Sequence, residues 1–157
     1  MKINVLRYII VVICTIACVV VYAQEVAANS IKDRATLCLL VDSGEWAGVR
    51  AKPVVSEDGC LEVTAEVGTY GWVYKNLRVD LSRYSRLVVS VRQTSGIFNI
   101  KVLNLKGDNA WVEILRTREV GQHIVELPVS GGEKNVQVAI YLTGGNAVQF
   151  DGIRLVP

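Results

Sequence analysis

The chain is 157 residues long, 51% hydrophobic and 20% charged, with a formal net charge of +2. Lys2 and Arg7 are the basic residues of the first 23 positions, which hold no acid, so the rest of the chain carries 15 residues of each sign and no net charge. That neutral remainder, 134 of the 157 residues, can bury one domain core but not two, and without a long basic block it excludes nucleic acid as a partner, whose affinity rests on cationic contacts to phosphate.

The first element is an export segment. Lys2 and Arg7 form a positive start, Tyr8 to Val20 an apolar stretch, and Val21-Tyr22-Ala23 a cleavage site, so residues 1–23 read as a signal peptide cut after Ala23. The expected destination is the periplasm or the exterior. Two alternatives stay open: retention as an uncleaved anchor, although the apolar run from 8 to 23 falls short of the ~20 residues that span a bilayer, and lipoprotein processing at Cys18. No span is expected in the mature chain. Residues 24–36 read as a linker or N-terminal arm, and 37–157 as the folded domain.

From Leu37 onward the pattern is strand after strand. An apolar run covers Leu37 to Val41. Period-two alternation marks Leu61 to Val67, Val73 to Val79, Leu87 to Arg92 and Phe98 to Leu105. Trp111 to Arg116, His123 to Leu127, Val136 to Leu142 and Val148 to Leu155 follow, the last interrupted at Asp151-Gly152. Turn residues separate them, among them Asp58-Gly59, Ser95-Gly96, Lys106-Gly107-Asp108-Asn109 and Gly144-Gly145-Asn146. No window after residue 36 shows a helical period. The expectation is an all-β, two-sheet antiparallel β-sandwich of jelly-roll type. Cys38 and Cys60 remain after cleavage and read either as a disulfide or as two buried thiols. A zinc site is not expected, since no CxxC spacing exists.

The stretch from Gly71 to Tyr84, ending Val79-Asp80-Leu81-Ser82-Arg83-Tyr84 before the apolar Leu87 to Val91, resembles galactose-binding-like β-sandwiches. So does the closing Asp151-Gly152-Ile153-Arg154-Leu155, and so does the opening Asp42 to Trp46 followed by Gly59 to Val63. The resemblance covers about residues 37–157. It implies a carbohydrate-binding module of an exported polysaccharide-degrading system. It also implies a structural calcium ion near the terminal strands, for which Asp42, Glu45 and Asp151 are the expected ligands.

A sugar site needs a ring for the apolar C–H face and planar polar groups for the hydroxyls. Tyr70, Trp72 and Tyr74 share one strand parity, and Val73, Leu77 and Val79 the other. If the apolar parity faces the core, the aromatic stripe faces outward. Trp111 stands at a loop-to-strand junction and joins the expected ligand set. With Phe98, Ile100 and Val102 inward, Asn99 and Lys101 point out. With Val136, Val138 and Ile140 inward, Gln137 and Tyr141 point out. Arg92 points out from Leu87 to Arg92. An enzyme reading, a small polysaccharide lyase or hydrolase, would need His123, Tyr141, Gln137 and Arg92 to converge; no Gly-x-Ser-x-Gly stretch supports a serine hydrolase. The remaining alternative is a structural subunit using the same face against a protein partner.

Overall fold

Alternating side chains build two facing layers. The computed structural model describes residues 36–40, 45–128 and 132–157. The signal peptide, its cleavage site, Cys18, most of the arm and Asp42 lie outside the described residues.

The described residues form eleven strands: β1 Leu37–Cys38, β2 Ala47–Val49, β3 Ala51–Val55, β4 Leu61–Ala65, β5 Gly71–Asp80, β6 Arg86–Thr94, β7 Phe98–Leu103, β8 Trp111–Thr117, β9 Gly121–Glu126, β10 Glu133–Leu142 and β11 Ala147–Val156. One sheet runs β3-β4-β11-β6-β9, with β1 also paired to β11. The other runs β2-β5-β10-β7-β8. Every pairing is antiparallel. A 3-10 turn, Leu81–Arg83, follows β5, capped by Asp80, whose carboxylate accepts the Ser82 N–H at 3.1 Å.

The core lies between the sheets. Val73, Leu77 and Val79 of β5 meet Val136, Val138, Ile140 and Leu142 of β10 and the inward residues of β11, β6 and β4. Phe98 from one sheet and Phe150 from the other are both fully buried, with rings edge to face at 5.3 Å and 90°. That geometry favours aromatic pairs beyond their buried area. One inward position breaks the apolar rule. Lys75 is 1% exposed, its Nζ donates to the Leu39 carbonyl at 2.7 Å, and it lies 5.8 Å from the Trp46 ring centre.

Two strands escape the sequence pattern. β2 and β3 flank Arg50, a corner where φ is 53° and the chain leaves one sheet for the other. Pro53 sits within β3, tolerated because β3 is an edge strand. A side chain on Gly71 would collide with the Arg50 carbonyl, and one on Gly48 with that of Ala51. Glycine at both positions lets this corner close.

The disulfide is corrected. No bond joins Cys38 and Cys60. Cys38 faces Arg154 and Leu61 faces Phe150 along the same edge of β11. The two cysteines are therefore about three residues apart along that strand, roughly 10 Å at the rise of a β-strand. A disulfide needs Cα atoms within about 7 Å. Burial instead pushes the Cys60 thiol up, keeping it protonated.

Replacing Phe150 with Ala should lower the unfolding free energy by about 3–5 kcal/mol, read by urea denaturation. A loss under ~1 kcal/mol would mean that the rings do not carry the inter-sheet contact.

Candidate functional site

The outer face of the β2-β5-β10-β7-β8 sheet is set by the pairing of β5 with β10, which is unbroken over ten positions. With Val73, Leu77 and Val79 buried, Trp72, Tyr74, Asn76 and Arg78 must face out. Register places Trp72 opposite Tyr141, Tyr74 opposite Ala139 and Asn76 opposite Gln137. On the other side of β10, Tyr141 faces Asn99, Ala139 faces Lys101 and Gln137 faces Leu103. β8 then adds Arg116 beside Asn99, Glu113 beside Lys101 and Trp111 beside Leu103. A bulge at Ile114 resets the parity of β8, so that Arg116 shares this face with Trp111 and Glu113.

Tyr141 is the hub of the face. Its ring stacks on Trp72 at 5.6 Å with 23° between planes, and Trp111 leans across β7 to meet it edge-on at 6.1 Å and 87°. The two indole planes are therefore inclined by at least about 64°, the difference of those angles. The Lys101 ammonium lies 5.0 Å from the Tyr141 ring centre. Burial pushes the Tyr141 phenol above its ordinary value, so the hydroxyl stays protonated at neutral pH. Ala139, between Tyr74 and Lys101, is fully buried although its parity is outward. The larger side chains around it roof it over. Trp111 is 41% exposed and Tyr70, just beyond β5, is 69% exposed.

Further along the strands the face turns from rings to amides. A cleft of about 450 Å³ is lined by Asn76, Leu77, Arg78, Leu103, Asn104, Asn109, Asn135, Val136 and Gln137. Gln137 Nε2 donates to Asn76 Oδ1 at 2.8 Å, and Asn104 Nδ2 donates to the Asn135 carbonyl at 2.9 Å. Asn104 and Asn109 both take positive φ, 64° and 55°, in the loop before Trp111. The Asn104 N–H donates to the Ala110 carbonyl at 3.0 Å, which ties this loop shut and fixes the approach of Trp111. Asparagine suits such positions better than most residues.

Of the expected ligand residues, Tyr70, Trp72, Tyr74, Asn99, Lys101, Trp111, Gln137 and Tyr141 thus belong to one sheet and its margin. Arg92 does not. It faces out from β6 in the opposite sheet, where its Nε binds Asp151 at 2.5 Å and an Nη binds Asp58 at 3.2 Å. Parity gives its direction, but not its sheet. The convergence of His123, Tyr141, Gln137 and Arg92 that an enzyme reading would need is not found. His123 is on β9 of Arg92's sheet, pairs with buried Val89, and has Nε2 3.0 Å from the Glu119 carbonyl. Asn76, Asn104, Asn109 and Asn135 were missed. Asn76 shares the parity of Trp72 and Tyr74 and was open to the same argument.

Of the expected calcium ligands, Asp42 lies outside the described residues, and Glu45 and Asp151 are described. Asp151 is held by Arg92. Glu45 lines a different cleft with Trp46, Pro53, Ser56 and Glu57. Among the described residues, no three His, Cys, Asp or Glu side chains are grouped to hold a metal. No helix among them is long and apolar enough to cross a membrane.

Neither protein-family models nor curated protein sequences match the chain. Solved structures do. The fold resembles a family 29 carbohydrate-binding module. A variant of that module complexed with cellulohexaose superposes with a TM-score of 0.60 at 13% identity, over 78% of this chain and 91% of that one. Another variant, complexed with mannohexaose, gives 0.55 at 12% identity over the same shares. At such identity the likeness is one of fold, and it bears out the two-sheet antiparallel β-sandwich.

The Arg92 cluster makes a pH-dependent prediction. A hydrogen bond from Ser56, then one from Arg92, holds the Asp58 carboxyl below its ordinary value. Its contribution is complete above the ordinary carboxylate range and lost as pH falls through the depressed value. Asp58→Asn should lower the melting temperature slightly at pH 7, and the gap to the parent should close on acidification. A gap that is constant with pH would contradict the assignment.

Proposed function

We propose that this protein is exported and binds polysaccharide without chemically changing it, through the outer face of the β2-β5-β10-β7-β8 sheet. The observation that carries this reading is the Trp72, Tyr141 and Trp111 cluster set beside an amide-lined cleft. Rings accept the C–H faces of sugars, and the bond between Gln137 Nε2 and Asn76 Oδ1 leaves the Asn76 Nδ2 amide group and the Gln137 Oε1 carbonyl for hydroxyls. The similar modules complexed with cellulohexaose and mannohexaose support the same ligand class. Export is supported by Lys2, Arg7 and the apolar run from 8 to 23. The scattering of His123 and Arg92 away from Tyr141 and Gln137 favours binding over lyase chemistry.

The inclination of the indoles favours one occupant over another. Two platforms at least about 64° apart cannot both lie flat on a planar crystal surface. They can both meet a single chain whose successive rings turn. The protein should therefore be retarded in gels containing soluble glucan or mannan, and should not be retained on crystalline cellulose.

Trp111→Ala should weaken oligosaccharide binding at least about tenfold, the scale of an aromatic anchor at an interface. Its melting temperature should change little, because the ring is already 41% exposed. Calorimetry with cellohexaose and mannohexaose reads the first, and thermal unfolding the second. Unchanged affinity in this variant for a ligand bound by the parent would refute the site.

A further inference from the structure

The same face carries an ammonium that has no ion-pair partner among the described residues. Lys101 is half-buried on β7, held over the Tyr141 ring. An aromatic ring attracts a cation through its quadrupole but supplies no counter-charge. The nearest acid by register is Glu113. Its Oε2 accepts instead from Asn99 Nδ2 at 2.6 Å. Among the described residues, no carboxylate comes within ion-pair distance of Lys101. Arg116, facing out opposite Asn99, also has no ion pair among them. Two other cations of the strands are paired with acids. Arg78 meets Glu133 at 2.8 Å, and Arg92 is held by two carboxylates.

We propose that the face selects an acidic polysaccharide, placing the carboxylate of a uronic acid unit against Lys101. This rests on the carbohydrate reading above and narrows it. A hexuronate bears its carboxylate at the rim of the sugar ring. A unit lying with its C–H face on an indole therefore directs that group sideways, along the sheet. Lys101 stands where such a group arrives, because Tyr141 touches Trp72, Trp111 and the ammonium together. Burial strips the ammonium of part of its water, and a carboxylate restores more than a hydroxyl does, since charge-assisted hydrogen bonds are roughly twice as strong as neutral ones. Arg116 adds a second positive charge at the margin of the face, opposite Asn99 on the strand that carries Glu113.

Polymannuronate and linear mannan make the test. They share their linkage, and differ in a carboxylate replacing a hydroxymethyl group. With the purified full chain, polymannuronate should bind about five- to tenfold more tightly than mannan at low salt, the range of a partly exposed ion pair. That ratio should fall toward one between about 0.01 M and about 1 M salt, as the Debye length shrinks from about 30 Å to about 3 Å. In Lys101→Met the ratio should approach one at all salt concentrations, and Lys101→Arg should restore it. Mannan bound as well as or better than polymannuronate would overturn the acidic preference and leave the carbohydrate reading standing. A preference that survives in Lys101→Met would overturn the role of Lys101. Binding of neither polymer, and of no soluble glucan, would overturn both readings.

Discussion

Because β5 and β10 pair over ten consecutive positions without a bulge, parity alone decides which of their side chains face the core. The consequence runs in both directions. Val73, Leu77, Val136, Val138, Ile140 and Leu142 supply one wall of the interior. Burying them forces Trp72, Asn76, Gln137 and Tyr141 onto the opposite side, directly across from one another. A one-residue slip would exchange the two sets, exposing the apolar wall and burying the amides. Core stability and the presence of the aromatic and amide face are thus a single requirement. The site is therefore built on the least deformable part of the fold rather than on its loops.

The bulges mark where that rule is suspended. On β8 the extra residue, Ile114, turns Arg116 onto the face that already bears Glu113 and Trp111. On β11 the irregularity at Asp151 throws a carboxylate outward next to Arg92, while Phe150 and Ile153 stay inside. Each inserts one residue without disturbing the buried side chains on either flank. Bulges of this kind re-aim a side chain at little cost in pairing. One shapes the charge of the candidate site, and the other braces the opposite wall through an ion pair with Arg92.

The strand pattern was legible because alternation is a local signal. Nine strand segments and the turns between them could be read from residue type alone, and the inward residues of β7 and β10 with them. What was not legible depends on which strand lies beside which. The outward direction of Arg92 is a local property that alternation shows, and its sheet is not. Cys38 and Cys60 suit pairing by composition, yet they border separate stretches of β11. β2 and β3 hid behind Gly48 and Pro53, residues that weaken a strand signal but here serve a corner between sheets. Within the candidate site the rings stood out by their type. The amides of Asn104 and Asn109 did not, because their role follows from a loop whose left-handed backbone only the fold reveals.

Two lysines on opposite faces of the same sheet show how environment assigns a role to one chemical group. Lys75 and Lys101 each hold an ammonium near an aromatic ring, at 5.8 Å from Trp46 and 5.0 Å from Tyr141. Lys75 faces inward, and its charge is used internally, on the Leu39 carbonyl at 2.7 Å. A buried charge without such a contact would cost several kcal/mol, so that bond ties the first strand's extension to the core. Lys101 faces outward, and the ring beneath it orients the ammonium without satisfying it. The first lysine is already bound to its own chain. The second retains the capacity to bind something else, and a ligand that brings its own carboxylate matches that capacity better than a neutral one.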